Sequence, residues 1–331
     1  MNRRLFLKAG AVATFAGTAL SNFLSMAGEA DKQGKRIWAN LLHLGHNMWG
    51  DWEKSIGSPD VKLGCEEDFW IELTEKIAAA GLNMVVIDLG EAIQYQSHPE
   101  IAIDGAWSIE KLRKDLARIR KLGLEPIPKL NFSACHDLWL GEYARMVSTP
   151  KYYEVCADLI KEVCEIFDTP RFFHLGYDEE TASHQSTYNY IVIRQNELWW
   201  HDFLFFVKTV EAQKVRPWIW SDYCWHHKEE FLKRMPKSVL QSNWYYDMGF
   251  DPETCVYVQT FFDLDKAGYD QVPAGSNWAN DQNFPKLVEY CRKNISEEHL
   301  KGFLQTAWEA TKRADSVRNL RAIELVKESM Y

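Results

Sequence analysis

The chain has 331 residues, of which 46% are hydrophobic and 26% charged, and this profile excludes a disordered or low-complexity protein. The formal net charge of −9 argues against a nucleic-acid-binding protein, which would need a basic face. Fourteen tryptophans are unusually many. Their flat aromatic faces suit either a large core or the apolar face of a sugar ring.

The first thirty residues differ in composition from the rest of the chain. The motif N-R-R-L-F-L-K occupies residues 2–8, and a run of small apolar residues follows over 9–20. This motif resembles the bacterial twin-arginine export signal, and the apolar run is too short for a convincing membrane span. We therefore expect a twin-arginine signal peptide over residues 1–30, read by the twin-arginine translocation machinery. An ordinary secretory signal or an N-terminal anchor is the alternative.

The export signal predicts where the mature protein resides. We expect it to be periplasmic or otherwise exported, with no stable membrane insertion after cleavage, and residues 31–331 to form the functional domain. Seven cysteines, an odd number with no C-x-x-C pair, exclude a zinc ribbon. The sequence also contains no G-x-S-x-G motif, so a serine hydrolase is unsupported.

From residue 36 onward, short apolar stretches alternate with longer stretches of helical periodicity. The predicted strands cover residues 37–44, 84–89, 125–131, 172–176, 217–221, 239–244, 271–276 and 303–307. The helices predicted between them include residues 67–80, 109–122, 152–167, 196–214 and 284–293. Eight such units predict an α/β fold, a single-domain (β/α)8 TIM barrel. An open doubly wound sheet is the alternative, but the H-L-G-H of residues 43–46 is not the glycine-rich phosphate loop it would need.

The barrel predicts where function lies, because active sites of this fold stand at the C-terminal ends of the strands. Acidic, histidine and tryptophan side chains collect at these ends: His136, Asp178, Glu179, Glu180, Trp220, Asp222, Trp244, Asn277, Trp278, Trp308 and Glu309. Carboxylates accept hydrogen bonds from hydroxyl groups, and aromatic faces stack on sugar rings. A pocket of this composition favours a neutral polyol as ligand.

Acidic residues are densest where the fourth predicted strand ends, in the run H-L-G-Y-D-E-E over residues 174–180. Neighbouring carboxylates in a shared pocket of low dielectric repel each other, which raises one pKa. One carboxyl can then stay protonated as a general acid while the other stays ionised, as glycoside hydrolysis requires. Acids also favour the first turn of a helix, so a simple helix N-terminus is the alternative.

The motif F-H-L-G-Y-D-E of residues 173–179 resembles the H-x-G-G-D-E signature of glycoside hydrolase family 20, the β-N-acetylhexosaminidases. Residues 109–131 followed by His136 are similar to that family's third helix–strand unit, and residues 302–309 to its closing segment. The resemblance implies a TIM barrel that hydrolyses a glycan with retention and substrate assistance. In that mechanism the 2-acetamido oxygen of the sugar attacks its own anomeric carbon. A carbohydrate substrate is implied, with no metal or organic cofactor.

The resemblance also assigns roles. Asp178 would orient the acetamido N–H and stabilise the developing positive charge, and Glu179 would protonate the leaving oxygen and then activate water. This division requires an ionised Asp178 and a Glu179 with a raised pKa. The substrate-binding residues expected around the pair are His136, His174, Trp220, Asp222, Trp244, Asn277, Trp278, Trp308 and Glu309.

The chain departs from the family pattern at several positions. Tyr177 stands where the signature has its second glycine, and residues 45–49 lack the arginine that the family places after strand one. No Y-x-D follows the seventh predicted strand, and the Y-Y-D of residues 245–247 follows the sixth, so its role is not carried over.

Two alternatives follow from these departures. The protein could be a barrel that binds carbohydrate and has lost catalysis. It could instead be a glycosidase of different sugar specificity that uses two protein carboxylates, with Glu179 paired to Asp222 or Glu309. The separation of the carboxyl groups distinguishes a protein nucleophile from inversion.

Overall fold

The computed structural model describes residues 36–47, 60–186, 188 and 191–331. The expected export signal lies outside these residues, and the domain boundary at residue 31 stays a prediction. The strands of the described chain are β1 (Ile37–His43), β2 (Met84–Asp88), β3 (Glu125–Lys129), β4 (Phe172–His174), β5 (Arg216–Trp220), β6 (Leu240–Ser242), β7 (Ala274–Ser276) and β8 (Gly302–Thr306). The helices that follow them in turn are α1 (Glu67–Ala79), α2 (Ile109–Lys121), α3 (Pro150–Ile166), α4 (Asn196–Ala212), α5 (Tyr223–Arg234), α6 (Val256–Lys266), α7 (Asn283–Asn294) and α8 (Ser316–Ser329).

The strands form one parallel sheet in the order β6-β5-β4-β3-β2-β1-β8-β7. Single parallel bridges between Gln241 and Gln271 and between Trp244 and Ala274 connect its two edges. The sheet is therefore a nearly closed barrel with the helices around it. The predicted (β/α)8 TIM barrel is confirmed.

Alternation along each strand separates two apolar regions. In β1, Ile37, Ala39 and Leu41 pack inside the barrel, whereas Trp38 and Leu42 join the layer between the strands and the helices. All seven residues of β1 are buried, as expected for a parallel strand that is covered on both faces. The C-terminal ends of the strands therefore rest on a closely packed barrel interior.

The helices begin and end where the sequence signals them. In α2 the apolar stripe of Leu112, Leu116 and Ile119 is buried, and Ser108 caps the helix by accepting a hydrogen bond from the Lys111 N–H at 3.2 Å. Gly123, with a φ of +84°, follows its end. No helix of the described residues combines the length and apolarity that crossing a bilayer requires.

Six strands are shorter than predicted: β1 and β2 by one residue, β3 and β4 by two, and β6 and β7 by three. β4 was predicted over 172–176 but ends at His174, because the backbone turns at Gly176. Within the predicted stretches 239–244 and 271–276, only Leu240–Ser242 and Ala274–Ser276 form ladders. The residues beyond these strand ends lie in the loops that carry the candidate site.

Candidate active site

A tight turn follows β4 and carries the two neighbouring acids. Gly176, Tyr177 and Glu179 have φ angles of +67°, +75° and +54°. A Cβ atom on Gly176 would lie 2.2 Å from Oδ1 of Asn131, so only glycine fits there. Positive φ in non-glycine residues costs on the order of 1–3 kcal/mol each and persists where the surroundings enforce it. The turn is therefore a strained segment held in place by its neighbours.

Asp178 is buried and oriented by a side chain from the end of β3. Asn131 Nδ2 donates to Asp178 Oδ1 at 2.8 Å, while Asn131 Oδ1 accepts the Tyr177 N–H at 3.1 Å. The other carboxylate oxygen, Oδ2, lies 3.6 Å from His136 Nε2. One amide side chain thus fixes both the turn and the first acid.

Glu179 lies between two imidazole rings. Its Oε2 is 3.4 Å from His136 Nε2, and its Oε1 is 3.4 Å from His184 Nε2. Burial acts to raise the pKa of Glu179, but the contacts with His136 and His184 outweigh it and hold that pKa below its usual range. The direction is opposite to the raised pKa that the sequence-based assignment of a general acid requires.

The pKa values of the two histidines are raised, whereas the pKa of Glu179 is lowered. Contact with Glu179 raises the pKa of His184. For His136, burial lowers the pKa, but the charges of Asp178 and Glu179 outweigh burial and leave it raised. Both rings therefore favour the protonated form beside an ionised Glu179.

Asp222, at the N-terminal end of α5, supplies a third carboxyl group. Its Oδ2 accepts the backbone N–H of Glu179 at 2.9 Å, and its Oδ1 is buried without a hydrogen-bond partner among the described residues. Burial, together with the charges of Asp178 and Glu179, raises the pKa of Asp222 to about 7. Asp222 thus retains its proton to a higher pH than an ordinary aspartate.

Glu180, the third acid of the run, has a structural environment. Its carboxylate accepts the Ala134 N–H at 2.9 Å and three hydrogen bonds from Arg194, from the backbone N–H at 2.7 Å, from Nε at 2.8 Å and from Nη2 at 2.5 Å. Arg194 in turn donates to the carbonyl of Phe132 at 2.7 Å and covers the ring of Tyr177. This buried pair ties the β4 loop to the β3 loop, and Glu180 reaches the cavity wall only as a carboxylate already paired with Arg194.

Aromatic rings surround the acids on the side of β5, β6 and β8. Trp244 stacks on Tyr246 at 4.9 Å and meets Trp225 edge-on at 4.5 Å. Trp308 Nε1 donates to the hydroxyl of Tyr246 at 3.1 Å. A cavity of about 390 Å³ opens beside them, and its wall includes Glu179, His184, Asp222, Trp225, Trp244 and Tyr257. Its volume and lining suit a ring-shaped ligand with polar substituents.

Two of the predicted binding residues support the site from within the barrel. His174 and Trp220 are fully buried, with ring centroids 4.4 Å apart. His174 Nδ1 accepts the N–H of Gly176 at 3.0 Å, and the ring of Trp220 lies 5.9 Å from that of Trp308. They form the base beneath the turn.

Two of the predicted residues after β7 and β8, Asn277 and Glu309, contact α8. Glu309 forms an ion pair with Arg318, and Asn277 Nδ2 donates to the carbonyl of Arg318 at 3.0 Å. Trp278 is 60% exposed on the surface of its loop. The contacts of Glu309 and Asn277 are therefore with α8, so a direct role for them at the carboxylate pair stays a prediction.

His136, Asp178 and Glu179 also bring one ligand-type atom each within 4.8 Å of the others. A histidine must be neutral to bind a metal, whereas the two carboxylates favour the protonated form of His136.

Three side chains of the site were not assigned from the sequence: Asn131, His184 and Tyr246. Asn131 stands at a strand end, which is the available signal for it. Tyr246 lies within the Y-Y-D run that follows β6. His184 comes from a turn five residues beyond the acids and belongs to no periodic pattern, so its contact with Glu179 is visible only in the fold.

The chain has no match among protein-family models and none among curated proteins. Solved structures do resemble it. The GH20 exo-β-N-acetylglucosaminidase of Vibrio harveyi superposes with a TM-score of 0.59 at 15% identity, covering 88% of this chain and 54% of the other. A β-N-acetylhexosaminidase gives 0.62 at 13% identity, covering 93% and 78%, and the GH20 enzyme of Streptomyces coelicolor A3(2) gives 0.58 at 13%, covering 88% and 64%.

The chain thus spans about half the length of the Vibrio harveyi enzyme. At these identities the likeness establishes architecture. The comparisons show that the chain shares its barrel fold with family 20 glycoside hydrolases.

Proposed function

We propose that the protein is an exported glycoside hydrolase of the β-N-acetylhexosaminidase type, acting on a small or terminal glycan. The observation that carries the proposal is the pairing of Asp178 and Glu179 at the C-terminal end of β4, in two different environments. Asp178 is buried against Asn131, whereas Glu179 has a side chain 26% exposed and lines the aromatic cavity. The similarity of the barrel to solved β-N-acetylhexosaminidases supports the proposal.

In the proposed reaction, Asp178 interacts with the acetamido group of the sugar and Glu179 with the oxygen of the leaving group. Asn131 occupies Asp178 Oδ1, which leaves Oδ2 to accept the acetamido N–H and to stabilise the positive charge that develops as the acetamido oxygen attacks. Glu179 protonates the glycosidic oxygen and afterwards removes a proton from water. The polarised acetamido group takes the place of a protein nucleophile.

His136 contacts both acids and has a role in each half of the reaction. Its Nε2 lies 3.6 Å from Asp178 and 3.4 Å from Glu179, so one positive charge stabilises two carboxylates that would otherwise repel each other. The ring keeps a positive charge beside Asp178 while Glu179 changes its protonation state.

A second candidate is a glycosidase that uses Glu179 together with Asp222. It is favoured by one observation: Asp222 lines the same cavity as Glu179, and its pKa is raised to about 7. Azide separates the candidates, because it replaces a missing carboxylate nucleophile. Rescue of Asp222→Ala by azide would indicate a protein nucleophile, whereas no rescue of Asp178→Ala fits substrate assistance.

The proposal is tested by screening the full-length protein on a panel of aryl glycosides that includes 4-nitrophenyl N-acetyl-β-glucosaminide. We expect turnover of the N-acetylated substrate and a fall in kcat of about 10²–10⁴ in Glu179→Gln. Glu289→Gln, on the exposed face of α7, is the matched control. Full activity in Glu179→Gln contradicts the assignment, and sugar binding without turnover on any substrate identifies a binding barrel instead.

Export is tested separately by cell fractionation. Conservative replacement of both Arg3 and Arg4 by lysine is expected to leave the unprocessed precursor in the cytoplasm, because the twin-arginine pathway reads that pair. Equal export of the variant would favour an ordinary secretory signal.

A further inference from the structure

The inference concerns the source of the proton that Glu179 donates, and it rests on the proposed function. A general acid has to carry a proton at the start of the reaction. In this structure each oxygen of Glu179 faces an imidazole nitrogen at 3.4 Å, an arrangement that favours the carboxylate. The proton is therefore stored next to Glu179 and not on it.

His184 is placed and held for this task by its own turn. Its Nδ1 lies 2.7 Å from Thr181 Oγ1, which also accepts the His184 N–H at 3.3 Å. The N–H of Thr181 donates to the carbonyl of Glu179 at 2.7 Å. With Nδ1 engaged by the hydroxyl group, Nε2 is the atom that faces Glu179 Oε1.

The two histidines that contact Glu179 differ in what they can release. The side chain of His136 is 3% exposed and also contacts Asp178, so loss of its proton would remove the positive charge that lies beside both carboxylates. The side chain of His184 is 39% exposed, lines the cavity and contacts Glu179 alone of the pair. His184 is the ring that can exchange a proton during turnover.

We propose that His184 is a positioning residue that stores the catalytic proton and passes it to Glu179 when the leaving-group oxygen arrives. The proton moves from His184 Nε2 to Glu179 Oε1. Glu179 then transfers it to the glycosidic oxygen as the bond to the anomeric carbon breaks, which releases the leaving group as an alcohol. At this point His184 is neutral and Glu179 is ionised.

The second half of the reaction restores the starting state. Water attacks the anomeric carbon, the bond from the acetamido oxygen breaks, and Glu179 takes the proton that the water loses. Glu179 passes this proton back to His184 Nε2. The protein therefore ends with a protonated His184 and an ionised Glu179, as it began, and no further reactant is needed.

The charges around His184 agree with this role. Glu179 on its own loop and Asp222 from the β5 side favour the protonated ring, and His136 from the β3 side opposes it. Arg194 neutralises the neighbouring Glu180. The remaining titratable groups on the cavity wall are Tyr177, Tyr223, His226, His227 and Tyr257.

The first test follows the histidine ring signals by NMR across pH, without any substrate. The His184 signal is assigned by its absence from His184→Gln. In Glu179→Gln we expect the midpoint of His184 titration to fall by one pH unit or more, because its counter-charge is gone. An unchanged midpoint overturns the proposal. Because this measurement needs no hydrolysis, its failure is distinct from failure of the proposed function.

The second test compares leaving groups. A 2,4-dinitrophenyl glycoside needs little protonation, whereas a 4-methoxyphenyl glycoside needs it fully. We expect His184→Gln to lower kcat/KM for the methoxyphenyl substrate at least ten-fold more than for the dinitrophenyl one, to move the acid limb of the pH profile, and to be partly rescued by added imidazole. His201→Gln, on the outer side of α4, is the control. Equal losses on both substrates with an unmoved pH profile would reduce His184 to a structural residue.

Discussion

The backbone N–H of Glu179 donates to Asp222 Oδ2 at 2.9 Å, so the acid that follows β5 holds in place the acid that follows β4. Glu179 has a φ of +54°, a conformation that needs support from its surroundings. Asn131, from the end of β3, provides the matching support for Asp178. Three neighbouring strands therefore build the carboxylate pair, which no local stretch of sequence could position alone.

Because of this contact, we expect Asp222→Ala and Asp222→Asn to differ in kcat. Alanine removes the acceptor of the Glu179 N–H, whereas the amide oxygen of asparagine retains it. We expect Asp222→Ala to lower kcat by roughly a further ten-fold beyond any loss in Asp222→Asn, since about 1.4 kcal/mol is the worth of one well-placed hydrogen bond to a catalytic group. Steady-state kinetics on a 4-nitrophenyl N-acetyl-β-glucosaminide measure it. Identical kcat values would mean that Asp222 does not position Glu179.

Asp222 also predicts a dependence of stability on pH. Its pKa is raised from 3.8 to about 7 in the folded protein, so between these values the folded state holds a proton that the unfolded state has lost. This group therefore destabilises the folded state progressively as the pH rises from about 4 to 7, by an amount on the order of 4 kcal/mol at most. Asp222→Asn removes the effect.

Urea unfolding of wild type and Asp222→Asn at pH 4.5, 6 and 7.5 measures this dependence. The variant should gain unfolding free energy relative to wild type as the pH rises, and the gain should level off above about pH 7. A difference that is constant across the three pH values contradicts a raised pKa in the folded state.

Gly176→Ala is expected to disturb both stability and the site. The new Cβ would meet Asn131 Oδ1 at 2.2 Å, and φ is +67°, so steric and conformational costs add to about 2–4 kcal/mol. Gly123→Ala is the matched control, with a φ of +84° and nothing within 4 Å of the added atom, and should cost only about 1 kcal/mol. Chemical denaturation of both variants gives the comparison, and equal losses would refute the close approach of Asn131.

The alternation of strand and helix patterns was enough to predict the barrel, because each strand buries both faces and each helix presents one apolar stripe. The strand ends were less predictable. The sequence pattern predicts that β4 continues through Leu175 and Gly176, yet the strand ends at His174. The chain turns after it, where Gly176 packs directly against Asn131. Sequence periodicity carries no information about such a contact between distant segments.

For the candidate site, too, only some features could be predicted from the sequence. Its acids and His136 could be located from their position after the strands, since parallel strands bring their C-terminal ends together. The protonation states could not, because they depend on burial and on partners from other loops. The Glu179 pKa is lowered by His136 and by His184, which comes from a turn without a pattern, whereas burial and neighbouring charges raise the pKa of Asp222 to about 7. His174 and Trp220 belong to the inward-facing set of their strands and are covered by the turn.

The buried pair of Glu180 and Arg194 is expected to serve stability more than catalysis. Both side chains are almost entirely inaccessible, and Arg194 has one other ion pair among the described residues, with Asp202 at 3.5 Å. Removing the charge of Glu180 therefore takes away the closer of the two counter-charges of a buried guanidinium. We expect Glu180→Gln to lower the free energy of unfolding by about 3–5 kcal/mol while kcat, measured well below the melting temperature, falls far less than in Glu179→Gln.

The double variant Glu180→Gln with Arg194→Met completes this prediction. Its loss of unfolding free energy should be smaller than the sum of the two single losses by about 1 kcal/mol or more, because the residues share a direct ion pair that either single change already breaks. Urea denaturation of the four proteins forms the thermodynamic cycle. Strict additivity would show that the ion pair provides no coupling between Glu180 and Arg194, and a loss of kcat as large as that of Glu179→Gln would move Glu180 into the catalytic machinery.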